Sequence, residues 1–420
     1  MIVSAFSIRS AFTGARTPRF AFLVWVTGGH TVVHWYVALL VFAVPLVKEE
    51  LGLSSFQVAA IVTVQMGVSG GLLLASGYVA DAFRRWERLI LISTIVVLGL
   101  GYLILGSFDS YTAVLIAAAL VGVAVALWHP SAMGSLSLKF PDRRGMALSV
   151  HGVGASIGDS LGSLIVGAIV LWVGWRLVFQ IHFIPAVVLA VILWKGLGRI
   201  DSDRANGTES ETYSFKAYLG GVRSIFTSSQ AVAVLSSTAL ANMARMAVLA
   251  FIGIYFRDAL GFSSFKLGLY LSLLYVLGIA SQPVMGLVSD RIGRKWVLVP
   301  SFGIMAALYL AIPYSGSGLL LAVVIIGLGA FFYAILNITQ TAIMDVADDS
   351  VQASTMSAMG FTSLPFVIGS PFLAGYLVDR YGIEAAFIYA AAAGAAATLV
   401  MVPIKFRDVR ASEPSRAPSE

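Results

Sequence analysis

The sequence predicts an all-α membrane protein with 12 transmembrane helices in two six-helix, pseudo-symmetric bundles. Three observations predict it: an apolar composition, apolar blocks of membrane-spanning length, and an internal repeat. Of the 420 residues, 59% are hydrophobic and 11% are charged, and the mean hydropathy is +0.90. Soluble domains carry about 25% charged residues. This chain therefore has too little polar surface to cover a body surrounded by water.

Twelve apolar blocks predict the helices, because each is long enough as a helix to cross roughly 30 Å of hydrocarbon. A hydrophilic segment at 199–228 predicts a cytoplasmic linker between bundles at 20–198 and 229–404, with a lead-in at 1–19 and a tail at 405–420. The predicted spans are 20–47, 54–80, 88–108, 111–139, 145–173, 175–198, 229–256, 264–289, 295–314, 317–345, 352–378 and 383–404.

The distribution of Lys and Arg predicts the orientation. With a cytoplasmic N-terminus, 21 of the 27 Lys and Arg residues fall on the cytoplasmic side and five fall outside. Cytoplasmic loops of membrane proteins carry the excess of positive charge, so both termini are expected inside. The same pattern accounts for the net charge of +6 without a nucleic-acid partner. The absence of Cys excludes disulfides and thiolate sites.

The two halves share sequence words at one offset. LGLSSF (51–56) recurs as LGFSSF (260–265), and GYVAD (77–81) recurs as GLVSD (286–290), both 209 residues later. Six helices duplicated in parallel and joined by a long link are typical of two-lobed carriers that work by alternating access.

The second copy of the repeat carries a loop signature. GLVSDRIGRKWVL (286–298) resembles G-x-x-x-D-R-x-G-R-[RK], the signature of the major facilitator superfamily. The first-half copy, GYVADAFRRWERL (77–89), keeps the outer glycine, the acid and two arginines but has Ala82 where Arg is usual. The resemblance implies a secondary transporter whose helices 1, 4, 7 and 10 line a central cavity.

Charged residues around this signature predict a cytoplasmic gate. The two outer glycines are expected to allow close helix approach, and the two acids are expected to face helix N-termini. Loop 10–11 is acidic and loop 4–5 is basic, so each is expected to pair with the signature of the other half. The gate residues are Gly77, Asp81, Arg84, Arg85, Arg143, Arg144, Gly286, Asp290, Arg291, Gly293, Arg294, Asp348 and Asp349.

Three histidines are predicted to lie in the substrate path. His30 and His34 share a face of the first span because they are four residues apart. Counted from the cytoplasmic ends of their spans, His30 and His129 both lie roughly 15 Å deep. Because helices 1 and 4 line the cavity in the superfamily, the resemblance implies that these imidazoles bind substrate or protons. His151 and His182 lie nearer helix ends and receive no predicted role.

The second half offers polar residues at matching positions. Arg245 is the only cation in the middle of a predicted span, and a buried guanidinium is costly unless it is paired or solvated. We expect it to anchor an anionic group of the substrate. The predicted polar set of this half is Asn242, Arg245, Tyr333, Asn337 and Gln340.

Asp159 is the only carboxylate in the middle of a predicted span, and it lies beside a row of glycines at 154, 158 and 162. A buried carboxyl that can be protonated is a natural proton carrier. The words WHP (128–130) and VGASIGDSLG (153–162) resemble the fosmidomycin-resistance type of bacterial efflux carriers. That subgroup usually has Asn-Asp where this chain has Val-His.

We therefore expect a secondary carrier, not an enzyme, that exports a small organic compound or drug. The expected partners are that substrate, protons as coupling ion and the lipid of a bacterial inner membrane, with a monomeric chain and no cofactor. One alternative is a transporter of Fe, Mn or Zn that uses His30, His34 and His129 as ligands. Another is a membrane sensor or scaffold that transports nothing. Two G-x-S-x-G matches lie inside apolar spans and do not indicate a hydrolase.

Overall fold

The structure is a computed structural model that describes residues 18–72, 75–76, 86–140, 144–198, 226, 229–346 and 352–404. Every regular element in these ranges is a helix. The elements of the first half are α1 (Pro18–Leu51), α2 (Ser55–Gly71), α3 (Glu87–Ser107), α4 (Tyr111–Lys139), α5 (Arg144–Val173), α6 (Trp175–Ile181) and α7 (Phe183–Gly198).

The second half repeats this pattern with several interrupted helices. Its α-helices are α8 (Ser229–Ile254), α9 (Ser264–Val276), α10 (Gly278–Ile292), α11 (Arg294–Ala311), α12 (Leu319–Phe332), α13 (Ala334–Val346), α14 (Gln352–Tyr381) and α15 (Glu384–Met401). A π-helical turn at Tyr255–Ala259 extends α8, and a 3-10 turn at Ile312–Tyr314 extends α11.

The helices confirm the predicted fold class. Ten helices or joined pairs in the described ranges are long and apolar enough to cross a membrane. The predicted span 111–139 coincides with α4. The predicted span 175–198 is split into α6 and α7, and Pro185 explains the split. A proline ring collides with the carbonyl group four residues earlier, which belongs to Ile181, the last residue of α6.

The described residues form two compact units. One unit contains those within Met1–Glu211 and Gly261–Ser272, and the other contains those within Thr212–Leu260 and Leu273–Glu420. The first part of α9 belongs to the first unit because it packs on α5. A Cβ atom added to Gly268 would lie 2.3 Å from the Ser163 carbonyl oxygen, and the hydroxyl oxygens of Ser160 and Ser272 are 2.7 Å apart.

Helices α1 and α5 pack closely in the first unit because glycines remove side chains from their contact. A Cβ atom on Gly154 would lie 2.9 Å from the Thr27 carbonyl oxygen, and one on Gly158 would lie 2.1 Å from that of Thr31. Glycine lets two helix backbones approach in this way. This close packing brings polar side chains of α1 and α5 within hydrogen-bonding distance of each other.

Candidate functional site

The predicted carboxylate and one predicted histidine are in contact in the first unit. Asp159 on α5 is 1% exposed, and its Oδ2 lies 3.1 Å from Nδ1 of His34 on α1. A buried carboxylate next to an imidazole holds the N–H of that ring on the facing nitrogen. This contact joins α1 to α5 inside the first unit.

His30 and His129 face each other across α1 and α4. Their Nε2 atoms are 3.3 Å apart. Nδ1 of His30 donates to the carbonyl oxygen of His151 at 2.7 Å, and Nδ1 of His129 donates to that of Val125 at 2.9 Å. Carbonyl oxygens only accept, so both neutral rings carry their hydrogen on Nδ1 and a lone pair on Nε2. A hydrogen bond between the two Nε2 atoms therefore needs one added proton.

A fourth histidine, which was not predicted from the sequence, lies at this site. His151 on α5 is 3% exposed, and its ring is stacked on that of His30, with centroids 3.8 Å apart and an interplanar angle of 8°. Neither of its ring nitrogens has a hydrogen-bond partner among the described residues. The available signal was its spacing of eight residues from Asp159, which places both on similar faces of a helix.

The three predicted histidines form one cluster. The ring of His34 lies 4.6 Å from that of His30 and 5.8 Å from that of His129, both edge to face. One ligand atom from each of the three lies within 4.8 Å of the others. Three imidazoles so close can share a proton, and as a donor set they also suit a transition metal ion.

Arg245 lies on α8 in the second unit. Its guanidinium carbon is 4.7 Å from the centroid of the Phe332 ring and 5.8 Å from that of Tyr333, within the range of cation–π contacts. Its Nε and Nη1 atoms are buried and have no hydrogen-bond partner among the described residues. The same holds for the hydroxyl of Tyr309, which interacts electrostatically with Arg245 and which the sequence analysis missed. These unused donors suit an oxyanion.

The other predicted polar residues of the second unit lie on α8, on α13 and at the junction of α12 and α13. Tyr333 lies at the junction of α12 and α13, with its ring 6.1 Å from that of Tyr275. Asn337 on α13 is exposed and donates from Nδ2 to Oε1 of Gln282 on α10 at 3.1 Å. Asn242 and Gln340 are partly exposed. Their roles remain predictions.

The gate prediction falls largely outside the described residues. Asp290 on α10 pairs with Nη1 of Arg294, which also donates to Ser289 Oγ at 3.0 Å. Gly293 has φ +98°, which favours glycine at the turn between α10 and α11. No described residue lies within 4 Å of a Cβ atom placed on Gly286, so the close approach predicted there stays a prediction. Gly77, Asp81, Arg84, Arg85, Arg143, Asp348, Asp349 and the side chain of Arg144 are not described.

A comparison with protein families decides where the chain belongs. The family described as Major Facilitator Superfamily matches residues 26–363, with a further match at 234–420. The chain belongs to the major facilitator superfamily. The fold agrees with a solved structure, that of a bacterial homologue of the human lysosomal transporter Spinster in an inward-facing and unoccupied conformation. The two superpose with a TM-score of 0.68 at 15% sequence identity. The superposition covers 93% of this chain and 96% of that one.

Two curated relatives are drug-resistance proteins. The puromycin resistance protein pur8 of Streptomyces alboniger is 32% identical over 39% of this chain, and the match spans only 32% of pur8. The fosmidomycin resistance protein of Escherichia coli strain K12 is 27% identical over 78% of this chain and 80% of its own length. The resemblance to fosmidomycin-resistance carriers that WHP and VGASIGDSLG predicted is thus confirmed as a sequence similarity.

Membership of the major facilitator superfamily makes this chain a multi-pass membrane protein and a secondary transporter of small solutes. Its substrate binds within the membrane. The alternative of a transition metal as the transported substrate is not favoured, because the curated relatives are named for resistance to organic drugs. A sensor or scaffold without transport is likewise not what the family indicates.

Proposed function

We propose that this chain exports a small organic compound with an acidic group in exchange for protons. The protons bind at the cluster of His30, His34 and His129 with Asp159, and the acidic group of the substrate binds at Arg245. The observation that carries the proposal is the pair of Nε2 atoms, 3.3 Å apart, on His30 and His129.

The hydrogen bonds of the pair support proton binding. Each Nδ1–H is committed to a backbone carbonyl oxygen, so two neutral rings would direct two lone pairs at each other. One added proton changes this repulsion into a charge-assisted hydrogen bond. Pro130 follows His129 in α4 and removes one backbone N–H donor from the helix beside it. These contacts support a pair of imidazoles that binds and releases one proton.

The contact between His34 and Asp159 supports the charge balance of the site. A proton on the His30–His129 pair is a buried positive charge, which is costly in a low dielectric unless a negative charge is near. Asp159 contacts His34, and His34 contacts both rings of the pair. The carboxylate thus compensates the charge of the bound proton from within the same unit.

Arg245 supports an acidic substrate. Two of its nitrogens are buried and have no hydrogen-bond partner in the part of the chain that the structure describes, and the rings of Phe332 and Tyr333 lie within cation–π distance of its guanidinium. A guanidinium held in this way keeps its hydrogen-bonding edge free for a carboxylate or another oxyanion. We propose the hydroxyl of Tyr309 as an additional donor. Asn242, Tyr333, Asn337 and Gln340 would contact the remainder of the compound.

The remaining features of the proposal follow from the charge pattern of the sequence. The excess of Lys and Arg on one set of loops supports cytoplasmic termini. We propose a monomer in a bacterial inner membrane, with bundles at 20–198 and 229–404, a linker at 199–228 and a cytoplasmic tail at 405–420. Asp290 and Arg294 would form part of a cytoplasmic gate with the other predicted gate residues.

The experiment is flux into proteoliposomes under an imposed pH gradient. The first probes are fosmidomycin and puromycin, since these compounds name the relatives, followed by a panel of organic carboxylates and by Zn²⁺ and Mn²⁺. We expect one or more organic anions to cross the membrane in the direction opposite to the flow of protons. His30→Phe and His129→Phe should each reduce this flux at least tenfold.

The matched control is His182→Phe. His182 is also buried in the first unit, but Trp35 donates to its Nε2 and its Nδ1 donates to the Val178 carbonyl oxygen, so both nitrogens are occupied. This variant should keep the pH-driven flux, apart from a loss of stability. The proposal fails if folded wild-type protein moves no organic compound of the panel, or if the flux does not depend on His30 and His129.

A further inference from the structure

We infer that His151 is a second proton-binding station of this site, which exchanges the proton with the His30–His129 pair. This inference rests on the proposed function and assigns a role to a residue for which the sequence predicts none. Its basis is a buried imidazole, stacked on His30, whose two ring nitrogens are both free of hydrogen-bond partners among the described residues.

The free nitrogens distinguish His151 from the other histidines of the first unit. In His30, His34, His129 and His182 at least one nitrogen is held by a carbonyl oxygen or a carboxylate. His151 is as buried as His30, but it can accept a proton on either nitrogen without breaking a bond. Buried polar atoms without partners are uncommon in native proteins, and each one calls for an explanation.

The stacking determines how many protons the two stations hold together. The centroids of the two rings are 3.8 Å apart, so a charge on His151 and a charge on His30 would repel strongly at this depth. The charged or titratable groups that face His151 are His30 and His34 on α1 and His129 on α4, with Asp159 two turns further along α5. With one carboxylate among them, the group favours a single added proton, on the pair or on His151.

The transfer is a simple proton movement. The bond between Nε2 of His30 or His129 and the shared proton breaks, and a bond forms between that proton and one free nitrogen of His151. Because the rings are stacked, this requires rotation of one ring or a bridging water molecule. The pair then returns to its neutral form, and His151 becomes the imidazolium that releases the proton. No other reactant is needed.

The test is a pH titration of the imidazole signals by NMR. The chain has five histidines, so protein labelled with ¹⁵N in histidine gives few ring signals, which single His→Phe variants assign. We expect His151 to gain its second N–H over the same pH interval in which the His30–His129 pair is protonated, with each station partly occupied. In His30→Phe, which keeps a ring face for stacking, His151 should take the whole proton.

His182 is the internal control, because its two occupied nitrogens should hold one tautomer across that interval. The inference is overturned if His151 keeps one N–H and one bare nitrogen at every pH, in wild type and in His30→Phe, while the pair titrates. If neither the pair nor His151 takes up a proton, the proton site of the proposed function fails as well. If one of the five variants does not fold, the other four still assign its signals by elimination, and the wild-type titration then separates these outcomes.

Discussion

Oδ2 of Asp159 lies 3.1 Å from Nδ1 of His34, which joins two helices across 125 positions of sequence. This contact places a negative charge beside a cluster of imidazoles in the interior of one unit. The consequences of this contact, and of the packing that creates it, can be measured.

Asp159→Asn should keep the helix packing and remove the charge. An amide is similar in size and can still bond to His34, but it cannot compensate a proton on the His30–His129 pair. We expect the pH-driven flux to fall about tenfold or more, as a charge interaction of on the order of 1.4 kcal/mol implies. Asp109→Asn is the matched control, since Asp109 is an exposed residue of the same unit. Equal flux in both variants would contradict the role of Asp159.

Gly158→Ala should loosen the contact of α1 with α5. The added Cβ atom would lie 2.1 Å from the Thr31 carbonyl oxygen, so one backbone has to move. Overpacking of this kind costs about 1–3 kcal/mol. We expect a lower melting temperature in detergent. Gly134→Ala in α4, where a Cβ atom meets nothing within 4 Å, should leave the melting temperature unchanged or raise it. The same loss in both would contradict the packing argument.

Arg245→Met should stabilise the protein and impair its function. Removing a buried guanidinium whose Nε and Nη1 have no partner relieves a desolvation cost on the order of 1 kcal/mol. We expect a higher melting temperature without substrate, together with at least a tenfold loss of flux for an anionic compound. Arg245→Lys keeps the positive charge but not the planar guanidinium. Its melting temperature and its flux should therefore lie between those of the wild type and of Arg245→Met. A lower melting temperature for the Met variant would show that Arg245 is a structural residue.

Glu50→Gln should weaken an ion-pair network at the helix ends of the first unit. Arg176 contacts Glu50 at 2.7 Å and Asp109 at 2.5 Å, and Glu50 also accepts from Nε1 of Trp175 at 2.8 Å. Since Glu50 is 41% exposed, we expect a loss of only about 0.5–1 kcal/mol, which high salt should reduce. Asp109→Asn, at an 80% exposed position, should cost less. An unchanged melting temperature for Glu50→Gln would show that the network is not stabilising.

The extent of the helices could be predicted because hydropathy and length are local properties. The prediction 111–139 coincides with α4, and 175–198 covers α6 and α7 together. The split between α6 and α7 was not predicted, although Pro185 was a visible signal. The glycines at 154 and 158 make close contacts with α1, while the close approach predicted at Gly286 stays a prediction. The sequence shows that a glycine is present but not which helix lies against it.

The candidate site was predictable in its residue types and not in its contacts. Histidines and a carboxylate inside apolar spans are conspicuous, because burial makes them costly. Their tautomers depend on carbonyl oxygens at Val125 and His151, and only the folded backbone decides where these lie. His151 was passed over because it lies near the end of its span. Its stacking on His30 joins residues 121 positions apart in the sequence.

The sequence by itself determined that this chain spans a membrane with repeated bundles of helices, because transfer into lipid depends on the sum of side-chain polarities over about 20 residues. It also determined which polar groups have to be explained inside those bundles. Only the tertiary structure decided that four imidazoles and one carboxylate meet in one unit. Hydrogen bonds act over about 3 Å, a distance that is set by how helices pack and not by positions along the chain.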